Sequence, residues 1–181
     1  MKRALTICGL FCALMIVVAS VSAQKGANFA GTWELDKAKS KLPEMMANNL
    51  TSLTWTVTQT DAELKVEPKA EMAQGGGGGG GGGRGMMGGN QPSSYKLDGS
   101  ETTTDLTGRM TGKVTRKAKW AGDGKILELN AVTNADFNGN AFTSTTTENW
   151  ELADDGKTLK VHRKSESPRG AQESTYVFTK K

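Results

Sequence analysis

Three charged residues stand where alternation along the chain would turn them inward: Arg116, Glu148 and Arg163. Arg116 shares parity with Val114, Ala118 and Trp120, and Arg163 with Leu159 and Val161. Glu148 falls in step with Phe142, Ser144, Thr146, Trp150 and Leu152. A guanidinium presents its N–H donors in a planar fork that matches a carboxylate. Arg116 and Arg163 could therefore grip the acidic end of an amphipathic molecule, with Glu148 as an internal counter-charge. Aromatic side chains around such a group would take the apolar part of that molecule out of water. The candidate ligand-binding residues are Trp55, Tyr95, Arg116, Trp120, Phe142, Thr146, Glu148 and Arg163. Two plainer readings use the same positions. The charges could form a purely structural Arg–Glu pair, or the strands could bulge so that parity slips and the charges meet water. Burying charge is costly, which weighs toward these plainer readings. Trp55 and Trp120 could likewise be pocket walls or ordinary core.

Other chemistry is poorly provided for. His162 is the single histidine, and its parity opposes Leu159 and Val161, so it should face solvent. A Ser–His–Asp arrangement needs that imidazole beside a nucleophile, and no Gly-x-Ser-x-Gly elbow occurs. Asp154 and Asp155 precede Gly156, where their role is turn geometry. One His and two Cys do not make a conventional zinc site. The residues thus predict a non-enzymatic protein without metal or cofactor. The formal charge of +4 is too small to argue for nucleic acid. The Gly-rich stretch 75–89 lacks the Gly-Lys-Ser/Thr that opens a phosphate-binding helix. It should be a flexible loop, because it cannot offset its ordering entropy.

Residues 1–23 read as a secretory signal peptide. Lys2 and Arg3 precede an apolar run from Leu5 to Val18, and Val21-Ser22-Ala23 precedes a cut at Gln24. Cleavage would remove Cys8 and Cys12, leaving a secreted or periplasmic chain with no thiol and no membrane span. It would also take Lys and Arg from 23 to 21 against 19 Asp and Glu, a net charge of +2. Residues 24–181 then form one domain, expected to be a monomer, with the Gly-rich loop inside it.

The elements that must position these residues are strands. Leu53, Trp55 and Val57 alternate with Thr54, Thr56 and Thr58, and the pattern recurs to Tyr176 and Phe178. Period-two alternation rich in Thr and aromatics argues half-buried strands. Asp98-Gly99, Asp123-Gly124, Asn138-Gly139 and Asp155-Gly156 are hairpin signals, since tight hairpin turns need positive φ. A weaker turn lies at Gln59 to Ala62. The spacing predicts ten strands, near 30–36, 51–60, 62–68, 93–98, 100–105, 110–120, 125–133, 141–152, 157–166 and 173–180. Ser40 to Leu50 should add one short helix with Met45, Met46 and Leu50 on its apolar face. A meander without long crossovers closes most simply into an all-β, antiparallel up-and-down barrel of about 8–10 strands, which removes exposed edges.

Phe29-Ala30-Gly31-Thr32-Trp33-Glu34-Leu35 resembles the Gly-x-Trp opening of lipocalins and other calycins. The stretches 31–42, 95–101, 119–129, 150–161 and 176–181 are similar in order to secreted bacterial lipocalin-like proteins of little-characterised function. The resemblance implies that Trp33 plugs the closed end of the barrel. It also implies an Arg near the last strand packed across that ring. This chain ends instead in Thr179-Lys180-Lys181, so either Lys180 substitutes or the contact is absent. Fatty-acid-binding proteins have ten strands but two lid helices, and Asp36 to Leu50 has room for only one. The leading expectation is binding of a small apolar or amphipathic ligand inside the barrel. The alternative is a cell-envelope interaction or structural module that uses the outer faces and the Gly-rich loop.

Overall fold

A computed structural model describes residues 26–73, 91–108, 110–153 and 155–181. The expected signal segment at 1–23 and the Gly-rich segment at 75–89 lie outside the described residues. Ten strands follow the predicted order: β1 (Gly31–Leu35), β2 (Leu50–Gln59), β3 (Glu63–Met72), β4 (Ser93–Lys96), β5 (Thr102–Leu106), β6 (Met110–Ala121), β7 (Ile126–Phe137), β8 (Asn140–Leu152), β9 (Thr158–Ser167) and β10 (Gly170–Lys180). They form one antiparallel sheet in the order β4-β3-β2-β1-β10-β9-β8-β7-β6-β5. Every pairing joins sequence neighbours except β1 with β10. The sheet curls into a nearly closed up-and-down barrel whose seam lies between β4 and β5.

Turn chemistry sets the register. Asn138 and Gly139 are the two loop residues between β7 and β8, with φ of 54° and 80°. Two consecutive positive φ values make the tight turn whose twist matches that of its strands. Within β6, Gly112 serves a different need. Its φ is +141°, and a Cβ there would stand 2.2 Å from the Asn134 carbonyl oxygen on β7. Only glycine lets the two backbones approach this closely.

One short helix, α1 (Glu44–Asn49), follows β1. Met46 and Leu50 are buried, but Met45 is 56% exposed. The expected apolar face is therefore narrower than the sequence suggested. Residues four apart share a helix face, whereas adjacent Met45 and Met46 point about 100° apart. Between β1 and α1 the ladder to β10 is interrupted, and Ser40 fills the break. Its hydroxyl donates to the Asp36 carbonyl at 2.6 Å and accepts the Val177 N–H at 2.9 Å. Lys41 then rejoins Thr175 through two backbone hydrogen bonds.

The core sits at the end of the barrel where β1 begins. Phe29, Trp33, Leu127, Leu159, Val161 and Phe178 are fully buried there. Residues 26–30 fold across this end and close it. The Gln59 side chain holds them from both sides, accepting the Phe29 N–H at 2.8 Å and donating to the Ala27 carbonyl at 3.0 Å. The Trp33 indole N–H donates to the Phe29 carbonyl, also at 2.8 Å. Buried polar groups need such partners. Lys180 Nζ lies 5.2 Å from the centre of the Trp33 ring.

Candidate functional site

Cross-strand register sorts the inward-facing residues into tiers. Above the closed-end tier of Leu35, Leu152, Leu159 and Phe178, the first interior tier runs Trp120, Leu127, Trp150, Val161 and Tyr176. Above it come Ala118, Leu129, Glu148, Arg163 and Ser174. The next holds Thr102, Arg116, Ala131, Thr146 and Ser165. Above that stand Thr104, Val114, Thr133 and Ser144.

The first interior tier and the closed-end tier beneath it are solid. Trp55 packs between Trp150, with ring centres 5.1 Å apart, and Phe178, at 4.3 Å. Phe29 stacks on Trp120 and meets Trp150 edge-on. Offset and edge-to-face pairs of this kind add roughly 0.5–1.5 kcal/mol each beyond area burial. Trp55 and Trp120 therefore stand in the aromatic floor. Trp120 is partly exposed, but Gly26 lies against its ring so closely that a Cβ would stand 2.3 Å away.

The second tier carries the charge pair. Glu148 is 7% exposed, and both its oxygens are engaged. Oε1 accepts from Arg163 Nε at 2.6 Å and from its Nη2. Oε2 accepts the Trp150 indole N–H at 2.8 Å. The guanidinium also lies over the Tyr176 ring, 5.2 Å from its centre. Burial is the largest single influence on Arg163 and would lower its pKa, but the charge and hydrogen bond of Glu148, with Tyr176 and Tyr95, together outweigh it and the net shift is upward. The Tyr176 hydroxyl in turn points to the sulfur of Met46, tying α1 to the tier below.

Arg116 stands one tier higher and does not reach Glu148. Register puts Glu148 opposite Arg163 on the neighbouring strand, whereas Arg116 faces Ala131 and Thr102. Its contact is the Thr104 hydroxyl at 3.2 Å, and it has no carboxylate partner among the described residues. Across the seam Tyr95 projects inward from β4 and is buried. Burial first, and then the Glu148 charge, push its phenol up to about 12, against the opposing pull of Arg116 and Arg163. Tyr95, Arg116, Glu148 and Arg163 thus form one electrostatic neighbourhood.

Thr146 lies in the tier of Arg116, its hydroxyl 3.4 Å from that of Ser165. Phe142 is set apart from the other candidates, near the rim. There an open concavity of about 750 Å³ is lined by Gly112, Asn134, Ala135, Asp136, Phe142 and Pro168, among others. None of the other seven candidates lines it. His162 is exposed on the outer wall, its Nδ1 3.1 Å from the Thr175 hydroxyl. No group of three or more His, Cys, Asp or Glu residues suited to a metal occurs among the described residues. No helix among them is long and apolar enough to cross a membrane.

Thr102 is the interior residue that sequence reasoning missed. Its hydroxyl oxygen is buried without a hydrogen-bond partner among the described residues. The run Thr102-Thr103-Thr104 repeats one residue type, so alternation gave no sign of which threonine points inward. Comparison of the chain with family models, with curated proteins and with solved structures finds no match.

Proposed function

We propose that the protein is a secreted or periplasmic, non-enzymatic binder of a small apolar or amphipathic molecule. The ligand would enter the half of the barrel above the Glu148–Arg163 pair. A change in burial along the inner wall carries this reading. Along β7, Leu127 and Leu129 are sealed, Ala131 and Thr133 on the same face are half-buried, and Ala135 near the rim is buried again. Along β8, Trp150 and Glu148 are sealed, while Thr146, Ser144 and Phe142 are half-buried. Inward-facing side chains that still meet water mark a hollow. Small and hydroxylated residues there leave room that the large aromatics below do not. The calycin-like character of the closed end supports the same reading, with Trp33 buried under Lys180.

Native mass spectrometry of the secreted protein tests the proposal, together with titration of N-phenyl-1-naphthylamine, an uncharged probe that fluoresces in apolar sites. A co-purified small molecule, or saturable one-to-one probe binding that Phe142→Asp weakens, is the expected result. An empty protein that leaves the probe dark would overturn the proposal and favour an envelope interaction module.

A further inference from the structure

We infer that the interior binds its ligand by a singly charged anionic end, held at the β4–β5 seam by Arg116, Thr102 and Tyr95. This rests on the ligand-binding reading above and names the chemistry of one end of the ligand. Charge count is the first argument. The middle tiers face two guanidiniums, Arg116 and Arg163, but one carboxylate, Glu148. That carboxylate is fully used by Arg163 and Trp150. Arg116, half-buried on the inner wall, is left without a counter-charge of its own. The orphan Thr102 hydroxyl is the second argument. It sits directly across the strand pair from Arg116 and has no acceptor or donor among the described residues. Such groups are rare in folded proteins and call for a specific explanation. Tyr95 is the third: its phenol is buried on the facing side of the seam within the field of Arg116, is hydrogen-bonded to Ser93, and carries a proton that an anion could accept.

Donors from an arginine fork, a threonine and a tyrosine suit a carboxylate, which has two acceptor oxygens and one charge. A dianionic phosphate would leave the neighbourhood one charge short. Above Arg116 the wall is Val114, Ala135 and Phe142, which rise toward the rim concavity. An apolar tail directed upward would lie along them.

Calorimetric titration of the full chain with decanoate and with decanol, at neutral pH and low salt, separates the parts of this idea. The two probes share a tail and differ in charge at one end. Hydrogen bonds to a charged group contribute about 1.5–3 kcal/mol, so decanoate should bind about tenfold or more tightly than decanol. Arg116→Gln should abolish that preference and leave decanol affinity within about twofold, while Arg116→Lys should retain part of it. Thr102→Val should weaken decanoate alone by several-fold. Equal affinities in the wild type, or a preference that survives in Arg116→Gln, would overturn the anionic end and leave the ligand-binding reading standing. Failure of both probes to bind would remove both. Should Arg116→Gln fail to show a native near-ultraviolet spectrum, the Arg116→Lys and Thr102→Val pair decides, and unchanged decanoate binding in both overturns the inference.

Discussion

Replacing Glu148 with Gln keeps the volume of the side chain and removes its charge. In the native barrel one oxygen accepts two donors from Arg163 and the other accepts the Trp150 indole N–H. Glutamine has one acceptor oxygen and one amide nitrogen. With the oxygen turned to Arg163, the amide N–H meets the indole N–H, donor against donor. Trp150 is 1% exposed, so water cannot take the place of the lost acceptor. An unsatisfied buried donor costs about 1–3 kcal/mol. Breaking a buried ion pair costs about 3–5 kcal/mol, reduced here because part of the Arg163 side chain still reaches water. We expect a total near 3 kcal/mol, which for a chain of this size lowers Tm by about 6–12 °C. Urea and thermal unfolding, followed by tryptophan fluorescence, would measure it. A double variant, Glu148→Met with Arg163→Met, should recover most of the loss, because an apolar pair of similar volume replaces a buried ion pair at little net cost. A single variant within about 1 kcal/mol of wild type, or a double variant less stable than the single, would refute the reasoning.

Three further outcomes follow from the structure. Tyr95 holds its proton up to about pH 12 in the folded state, against an ordinary value near 10. The folded state therefore binds this proton more tightly than the unfolded state. The associated stability is complete below about pH 10 and is lost as pH rises toward 12, on the order of 2–3 kcal/mol. Tyrosinate absorbance at high pH should show this late step, and Tyr95→Phe should remove both the step and that part of the stability loss. Separately, Gly112→Ala would drive a methyl group into the Asn134 carbonyl and should cost about 2–4 kcal/mol in urea unfolding. Gly156→Ala, whose Cβ meets nothing within 4 Å, should cost about 1–2 kcal/mol through its positive φ alone.

Strand positions were legible because this chain alternates cleanly wherever one face is buried. Leu127 and Leu129, or Leu159 and Val161, announce their face by type. Parity also turned Arg116, Glu148 and Arg163 inward, where the barrel has them. A structural Arg–Glu pair was among the readings the residues allowed, but which arginine joins it was not legible. Which arginine meets Glu148 depends on register, and register is set by turn lengths and by the pairing of neighbouring strands rather than by any one strand's pattern. The β8–β9 ladder places Glu148 against Arg163 and leaves Arg116 a tier away. The closing segment at 26–30 was invisible for another reason. Its hold depends on a single glutamine, Gln59, reaching across from β2, and no periodicity marks such a contact.

The union of β1 with β10 has a consequence for how the chain reaches this structure. Eight of the nine strand pairings join consecutive strands, and each can zip from its own local connection. The ninth brings Trp33 beside Lys180, 147 positions along the chain. Loop-closure entropy makes that encounter about 3 kcal/mol more costly than closing a four-residue hairpin. It becomes affordable only once the intervening hairpins have shortened the path. The clasp should therefore form late, after the transition state. Weakening it, as in Lys180→Met, should speed unfolding and leave the rate of folding nearly unchanged.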